Sequence, residues 1–266
     1  MPIPTTRREV LRDLKADNYK NANAGLWLDK YLNKPLRKEG EEGEKDNKAK
    51  TQLVKEVACI KVSPIYEKFY ERWEQLLVDC DAVKCEIRVS GRMAVGLGAD
   101  GVLETSITLH RTYGVPYIPG SALKGLALRY AWNRLEKSGG EWTKEHTQIL
   151  FGCDEKGKEA AGYVTFFDAL YVPNTGHKVN GISYPLRPDV MTVHHADYYQ
   201  DGTKPPADWD DPTPVSFISA TGEYLLAVAA PDALEWREIA LTILEKALAD
   251  EGIGAKTSSG YGRMRS

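Results

Sequence analysis

This sequence lacks the features that mark several specialised classes of protein. Its four cysteines, Cys59, Cys80, Cys85 and Cys153, form no CxxC pair, so we expect reduced thiols and no metal site. No run approaches the ~20 apolar residues of a membrane span, and the first stretch, MPIPTTRREVLRDLK, lacks the apolar segment of a signal peptide. We therefore predict a cytoplasmic protein that uses neither a metal nor a cofactor.

The chain also lacks an overall basic charge, because its formal net charge is −3. A nucleic-acid role would then require local clustering of Lys and Arg, as in residues 88–134, which hold six basic and two acidic residues. The alternating strand pattern over 85–93 presents Arg88 and Arg92 on its polar face, where an RRM domain would carry aromatic residues. Binding by base stacking across a sheet is not favoured, whereas contacts from loops to a phosphate backbone are.

The segment GIGAKTSSGYGRMRS, residues 252–266, resembles a phosphate-binding loop but is no Walker A motif. A Walker A loop lies between a strand and a following helix, whereas this one follows a strong helix pattern and lacks the glycine before its lysine. We predict a glycine loop over 252–263 in which exposed N–H groups and side chains meet phosphate oxygens. Its candidate residues are Gly252, Gly254, Lys256, Thr257, Gly260 and Arg263. A flexible tail is the alternative.

A second candidate is the helix start in YIPGSALKG, residues 117–125. Pro119 and Gly120 turn the chain, and Ser121 is a suitable cap. Lys124 opposes the helix dipole in the first turns, which makes sense if an anion binds there. We expect this helix start and the glycine loop to pack side by side and to clasp a ribose–phosphate chain.

The remaining patterns predict an α+β fold. Helices are predicted from Ser63-Pro64, from residue 121 and over 232–250, and strands over 85–93 and 162–172, with a hairpin over 214–230 turning at Thr221-Gly222. This order suits a ferredoxin-like sheet with two helices on one face. We divide the chain into an N-terminal extension, 1–80, with a mobile loop over 34–56, and a ferredoxin-like domain, 81–266, with an insertion at about 173–214.

Two histidine segments allow several interpretations. His110 and Arg111, beside Tyr113, are either ordinary surface or core residues or RNA contacts. His194 and His195 lie in HHAD, which fits an exposed loop better than a metal site, because adjacent residues rarely share a face.

Two motifs together resemble the RAMP superfamily of CRISPR-associated proteins: GLGADGVLETSITLHRTYGVPYIPGSALKGLALR, residues 96–129, and the final helix followed by GIGAKTSSGYGRM. The forms VLETSITLHRTYGVPYIPGSALKG, GLWLDKY and DVMTVHHADYY are similar to the sixth-subunit family of the type III-B (Cmr) effector. The resemblance implies a ferredoxin-like (RRM-like) RAMP fold that binds guide RNA through the terminal glycine loop. It also implies that residues 173–214 form a thumb whose His194 and His195 contact bases or a neighbouring subunit.

The resemblance further implies a non-catalytic subunit that caps the filament of backbone subunits near the 3′ end of the guide RNA. Its partners would be CRISPR guide RNA, target RNA, a backbone RAMP subunit and a neighbouring capping subunit. Backbone subunits cleave target RNA with an aspartate before the YIPGS motif, and Glu104 stands at that position here, with Asp100 four residues earlier. The alternatives are a metal-independent RAMP endoribonuclease with His110 or His194 as general base, and a purely protein-bridging subunit that uses the acidic end of the insertion.

Overall fold

The computed structural model describes residues 20–32, 44–103, 105–193, 213–231 and 233–266. Its α-helices are α1 (Ala24–Lys30), α2 (Glu44–Ala58), α3 (Pro64–Asp79), α4 (Gly120–Tyr130), α5 (Lys144–Phe151) and α6 (Leu234–Asp250). Its strands are β1 (Val83–Val89), β2 (Tyr117–Ile118), β3 (Gly152–Cys153), β4 (Ala160–Ala161), β5 (Thr165–Phe166), β6 (Ala169–Tyr171), β7 (His177–Val179), β8 (Ile182–Tyr184), β9 (Leu186–Val193), β10 (Thr213–Ala220), β11 (Glu223–Ala229) and β12 (Met264–Arg265). A π-helical turn, Ala131–Leu135, follows α4, and 3-10 turns occupy Glu136–Ser138 and Thr257–Ser259.

An antiparallel sheet in the order β12-β1-β11-β6-β2 organises the molecule, and β5 extends the pairing along β11. Along the chain, β1 is followed by α4, then β6, β11, α6 and β12. The predicted α+β class is therefore confirmed, and the sheet is antiparallel.

Helices pack on both faces of this sheet. Neighbouring residues of a strand point to opposite faces. On β1, the Lys84 ammonium pairs with Glu74 of α3 at 3.4 Å, while the Cys85 thiol hydrogen-bonds Glu245 of α6. Burial and the carboxylate raise the pKa of this half-buried thiol to about 12. α3 therefore lies over part of one face and α6 over the other, while Glu86 and Arg88 of β1 stay exposed on the α3 side.

The predicted pair of helices on one face is α4 and α6. Arg129 of α4 pairs with Glu251 at 2.6 Å, and the Tyr130 hydroxyl donates to Asp250 at 2.9 Å. The helical spacing predicts an apolar stripe on α6 of Trp236, Ile239, Ala240, Ile243, Leu244, Ala247 and Leu248, and the last five are buried. Trp236 is half-buried and Ile239 is exposed. The predicted start of α3 is also confirmed, because the Ser63 hydroxyl accepts from the Ile65 N–H, with Pro64 at the first position.

The loop predicted over 34–56 is wrong from residue 44 onward, where α2 begins. Its few apolar side chains, Leu53, Val54 and Val57, are buried. The Thr51 hydroxyl meets that of Ser216 on β10 at 2.8 Å, so α2 packs against a second sheet formed by β9 and β10. Burial against this partner stabilises a helix that the charged sequence does not reveal. Residues 34–43 lie outside the described residues.

The hairpin predicted around Thr221-Gly222 is wrong, although both strands exist. β10 pairs with β9, from Ala220↔Leu186 to Thr213↔Val193, whereas β11 pairs with β1. The Thr221 N–H donates to Pro185 O, so the chain passes from one sheet to the other at this point. The proposed insertion contains regular structure too: β7, β8 and β9 occupy its first half, and residues 194–212 lie outside the described residues.

Across the described residues, no helix is both long and apolar enough to cross a membrane.

Candidate nucleic-acid interface

The glycine loop is folded tightly on itself and on the segment after β1. Gly252, Gly254 and Gly262 all have φ between +69° and +87°, a region that favours glycine. A Cβ on Gly262 would overlap the carbonyl oxygen of Ile253, and one on Gly254 would overlap that of Ala94. These glycines are therefore explained by close approach of protein backbone, without a ligand.

The tip of the loop, residues 256–260, differs from its base because it is open to solvent. Lys256 adopts φ +60° and precedes the 3-10 turn Thr257–Ser259, whose two serines are exposed. Gly260 has φ +88°, and a Cβ there would meet no atom within 4 Å. The Lys256 side chain is exposed and forms no ion pair with any described residue. A lysine and three hydroxyl side chains on this turn suit contact with phosphate oxygens.

Arg263, predicted as a phosphate contact, has a protein partner in this structure. Its guanidinium donates to Ala249 O at 3.3 Å, near the carboxyl end of α6. A cation there complements the helix dipole.

The helix start is less open to an anion than its sequence indicates. The Gly120 N–H donates to the Asp168 carboxylate at 2.7 Å, and the N–H groups of Ala122 and Leu123 donate to Pro119 O. The helix begins at Gly120 with Pro119 at the cap position, so the prediction that Ser121 caps it is wrong. Asp168, 48 residues away, already supplies the negative charge that a phosphate would bring.

A groove of about 590 Å³ lies beside this helix start. Ser121 and Lys124 line one part of it, with Trp132 of the π-helical turn, which is 51% exposed. Asp154, after β3, contributes a carboxylate. The Lys124 ammonium has no ion pair among the described residues, so it is available to an anion in the groove.

The structure shows no polar contact between the glycine loop and the helix start. Both segments are described in full, and no hydrogen bond or ion pair joins residues 252–263 to 119–125. The contacts that tie α4 to the end of α6 involve Arg129 and Tyr130. Arg129 lies eight residues beyond Ser121, about 12 Å along the helix. We treat the two segments as two candidate contact points.

His110 is held in an aromatic cluster. Its ring centroid lies 4.9 Å from Tyr113 and 5.3 Å from Phe69, and its Nδ1 accepts from the Thr112 N–H at 3.3 Å. Burial lowers its pKa, partly offset by the Asp168 carboxylate. The adjacent Arg111 side chain is exposed and has no ion pair among the described residues.

Three predicted residues cannot be placed, since Glu104, His194 and His195 lie outside the described residues. Asp100 lies in an exposed turn. No group of three or more His, Cys, Asp or Glu side chains suited to a metal occurs in the described part of the chain.

With this geometry established, comparison with known proteins decides the family. The RAMP superfamily model matches residues 86–265, which include both the helix-start motif and the glycine loop. The chain belongs to the RAMP superfamily. The predicted resemblance is thus confirmed.

A RAMP relative from Pyrococcus furiosus, described as CRISPR system Cmr subunit Cmr6, is 31% identical over 260 aligned residues, covering 77% of this chain and 74% of the relative. A chain of a type III-B Cmr-beta complex bound to cognate target RNA superposes with a TM-score of 0.65 at 21% identity, covering 88% of this chain and 76% of that one. The crystal structure of Cmr6 from Pyrococcus furiosus is 33% identical, covers 69% of this chain and 97% of that one, and has a TM-score of 0.43.

Proposed function

We propose that this RAMP protein is an RNA-binding structural subunit of a type III-B CRISPR (Cmr) effector complex in antiviral defence. The observation that carries the proposal is the Cmr6 relative, which aligns with about three quarters of both chains. The proposed partners are guide RNA, target RNA, a backbone RAMP subunit and a neighbouring capping subunit. The chain would cap the backbone filament near the 3′ end of the guide RNA, in the cytoplasm.

The strand order supports a ferredoxin-like domain within this fold. In the order β12-β1-β11-β6, the first and third strands along the chain, β1 and β11, are neighbours, and a helix follows each of them. This is the split βαβ arrangement of ferredoxin-like domains. The outer strand β2 is an addition to it.

RNA contact is proposed through side chains at two separate points. One is the exposed tip of the glycine loop, with Lys256 and Thr257, and the other is the groove with Ser121 and Lys124. Both lysines lack ion pairs among the described residues, so neither must break one to bind a phosphate. The part of the sheet that α3 leaves exposed carries Glu86 and Arg88 rather than aromatic residues, so these contacts would follow the RNA backbone rather than stack bases across the strands.

We propose further that the chain does not cleave RNA itself. A general base needs a free lone pair, and His110 engages its Nδ1 with the Thr112 N–H while its ring packs against Phe69 and Tyr113. This argues against His110 in the endoribonuclease alternative. Incubating the full chain with labelled repeat RNA in chelator tests it: the RNA should remain intact, and cleavage lost in His110→Ala would contradict the proposal.

The RNA-binding proposal is tested with the full chain and a labelled single-stranded repeat-derived RNA. Lys124→Ala and Lys256→Ala should each weaken binding. In the double variant, the slope of log affinity against log salt concentration should become less steep by about 0.7 for each phosphate contact that is lost. Lys68→Ala is the matched control, because Lys68 is an exposed lysine on α3, across the sheet from α6. Unchanged affinity in the double variant would refute both contact points.

A further inference from the structure

One carboxylate links the glycine loop to the second sheet. Asp189 of β9 accepts with its Oδ2 from the Arg92 guanidinium at 3.0 Å and from the Tyr261 hydroxyl at 2.8 Å. The Asp189 side chain is only 18% exposed. Both bonds are charge-assisted, the stronger class of hydrogen bond in proteins.

Arg92 carries the connection to a third segment. Its guanidinium also donates to Pro188 O at 2.9 Å and to the Ser219 hydroxyl of β10 at 3.0 Å. Its own carbonyl accepts from the Gly262 N–H at 2.7 Å. The segment after β1, the β9–β10 sheet and the glycine loop are thus held by one set of side chains.

Tyr261 connects this set to the exposed tip. Its N–H donates to Lys256 O at 3.2 Å, closing the tip, and its ring centroid lies 6.1 Å from that of Phe217 on β10. Burial, together with Asp189, raises the pKa of Tyr261 to about 12, so its hydroxyl remains a donor near neutral pH. The place of Lys256 relative to the second sheet therefore depends on where Tyr261 is held.

We propose that Asp189, through Tyr261, is a positioning residue for the RNA-contacting tip. It fixes the backbone of Lys256 against the β9–β10 sheet, so that the lysine meets an RNA phosphate without first ordering the loop. This rests on the proposed function of the same loop. A side chain held in place loses less freedom on binding, which raises affinity.

The test is a double-mutant cycle on the affinity of the full chain for the labelled repeat-derived RNA. Tyr261→Phe keeps the ring against Phe217 and removes only the hydroxyl, and it should weaken binding about fivefold. In the Lys256→Ala background the same change should have little further effect, because the group being positioned is gone. Asp189→Asn, which keeps the shape but loses the charge, should weaken binding in the same way, with faster amide hydrogen exchange at Ile253 and Tyr261.

Each outcome decides the proposal. If Lys256→Ala alone leaves RNA affinity unchanged, the proposed contact at this loop fails and the positioning role fails with it. If Lys256→Ala weakens binding but Tyr261→Phe does not, only the positioning role is overturned. Independent, additive losses in the double variant would also overturn it, because a general loss of structure acts whether or not Lys256 is present.

Discussion

The glycine loop and the helix start look alike in sequence, since each is glycine-containing, carries one lysine and is followed by an ordered element. Their structures differ in what occupies the backbone donors. In the loop the chain closes on its own carbonyl groups and leaves the tip at Lys256 exposed. At the helix start, Asp168 and Pro119 O already accept the backbone donors of Gly120, Ala122 and Leu123. Glycines in a phosphate-binding pattern can thus be required by packing, so that ligand contact is left to side chains.

The largest expected effect comes from the base of the glycine loop. Gly262→Ala would force a Cβ into the Ile253 carbonyl at φ +69°, and we expect a loss of about 3 kcal/mol or more in the free energy of unfolding. Gly260→Ala, at φ +88° but in open space, is the control and should lose about 1 kcal/mol. Chemical denaturation measures both; equal losses would show that packing does not explain Gly262.

Asp168→Ala probes the helix start. The buried Gly120 N–H would lose its acceptor, and we expect a loss of about 1–2 kcal/mol in the free energy of unfolding, as for other helix caps. Asp154→Ala removes an exposed carboxylate from the same groove and serves as the control. A urea titration in which both variants match the parent protein would rule out the capping role.

At Gly125 we expect a smaller change in the free energy of unfolding, and one that stabilises the protein. This residue is exposed in the middle of α4, and a Cβ there would meet no atom within 4 Å. Gly125→Ala should therefore raise the free energy of unfolding by about 0.5–1 kcal/mol. The RNA affinity of the same variant tests whether this glycine also serves binding. Weaker binding in a more stable protein would mean that the RNA backbone approaches α4 at this glycine.

The smallest change in the free energy of unfolding is expected at the contact between α4 and the end of α6. Arg129 pairs with Glu251 but is 60% exposed, and exposed ion pairs contribute little. Arg129→Ala should lower the free energy of unfolding by at most about 0.5 kcal/mol, with Lys124→Ala as a charge-matched control on the same helix. A loss comparable to that of Asp168→Ala would show that this contact fixes the arrangement of α4 and α6.

The parts of the fold that the sequence predicts are those with local causes. The Ser63-Pro64 start of α3 and the apolar stripe of α6 are read from neighbouring residues; the first is confirmed, and the second is confirmed except near its start, where Ile239 is exposed. Helix α2 is not predicted from the sequence, because its apolar residues stabilise a helix only when they are buried against β9 and β10. The false hairpin at Thr221-Gly222 has the same origin, since a turn pattern does not show that the partner strand is β9.

The residues of the candidate site also divide into those with a local sequence signal and those that depend on a distant partner. The glycine loop and Lys124 were found from the sequence, because glycine and lysine patterns are local. Asp168 and Asp189 were missed as partners of these segments, and no local signal marks them: each acts on a residue at least 48 positions away. The sequence alone predicts Ser121 as the cap, because a distant carboxylate cannot be read from a helix start.

Both outer strands of the main sheet, β2 and β12, are only two residues long. Because β12 pairs only with Arg88 and Val89, residues 83–87 of β1 have no strand partner on that side in the described part of the chain. The exposed charged side chains of Lys84 and Glu86 lie on this stretch, and charged side chains are one way that natural sheets avoid edge-to-edge aggregation. A neighbouring chain in an assembly would meet charge at this edge before it could pair with the backbone.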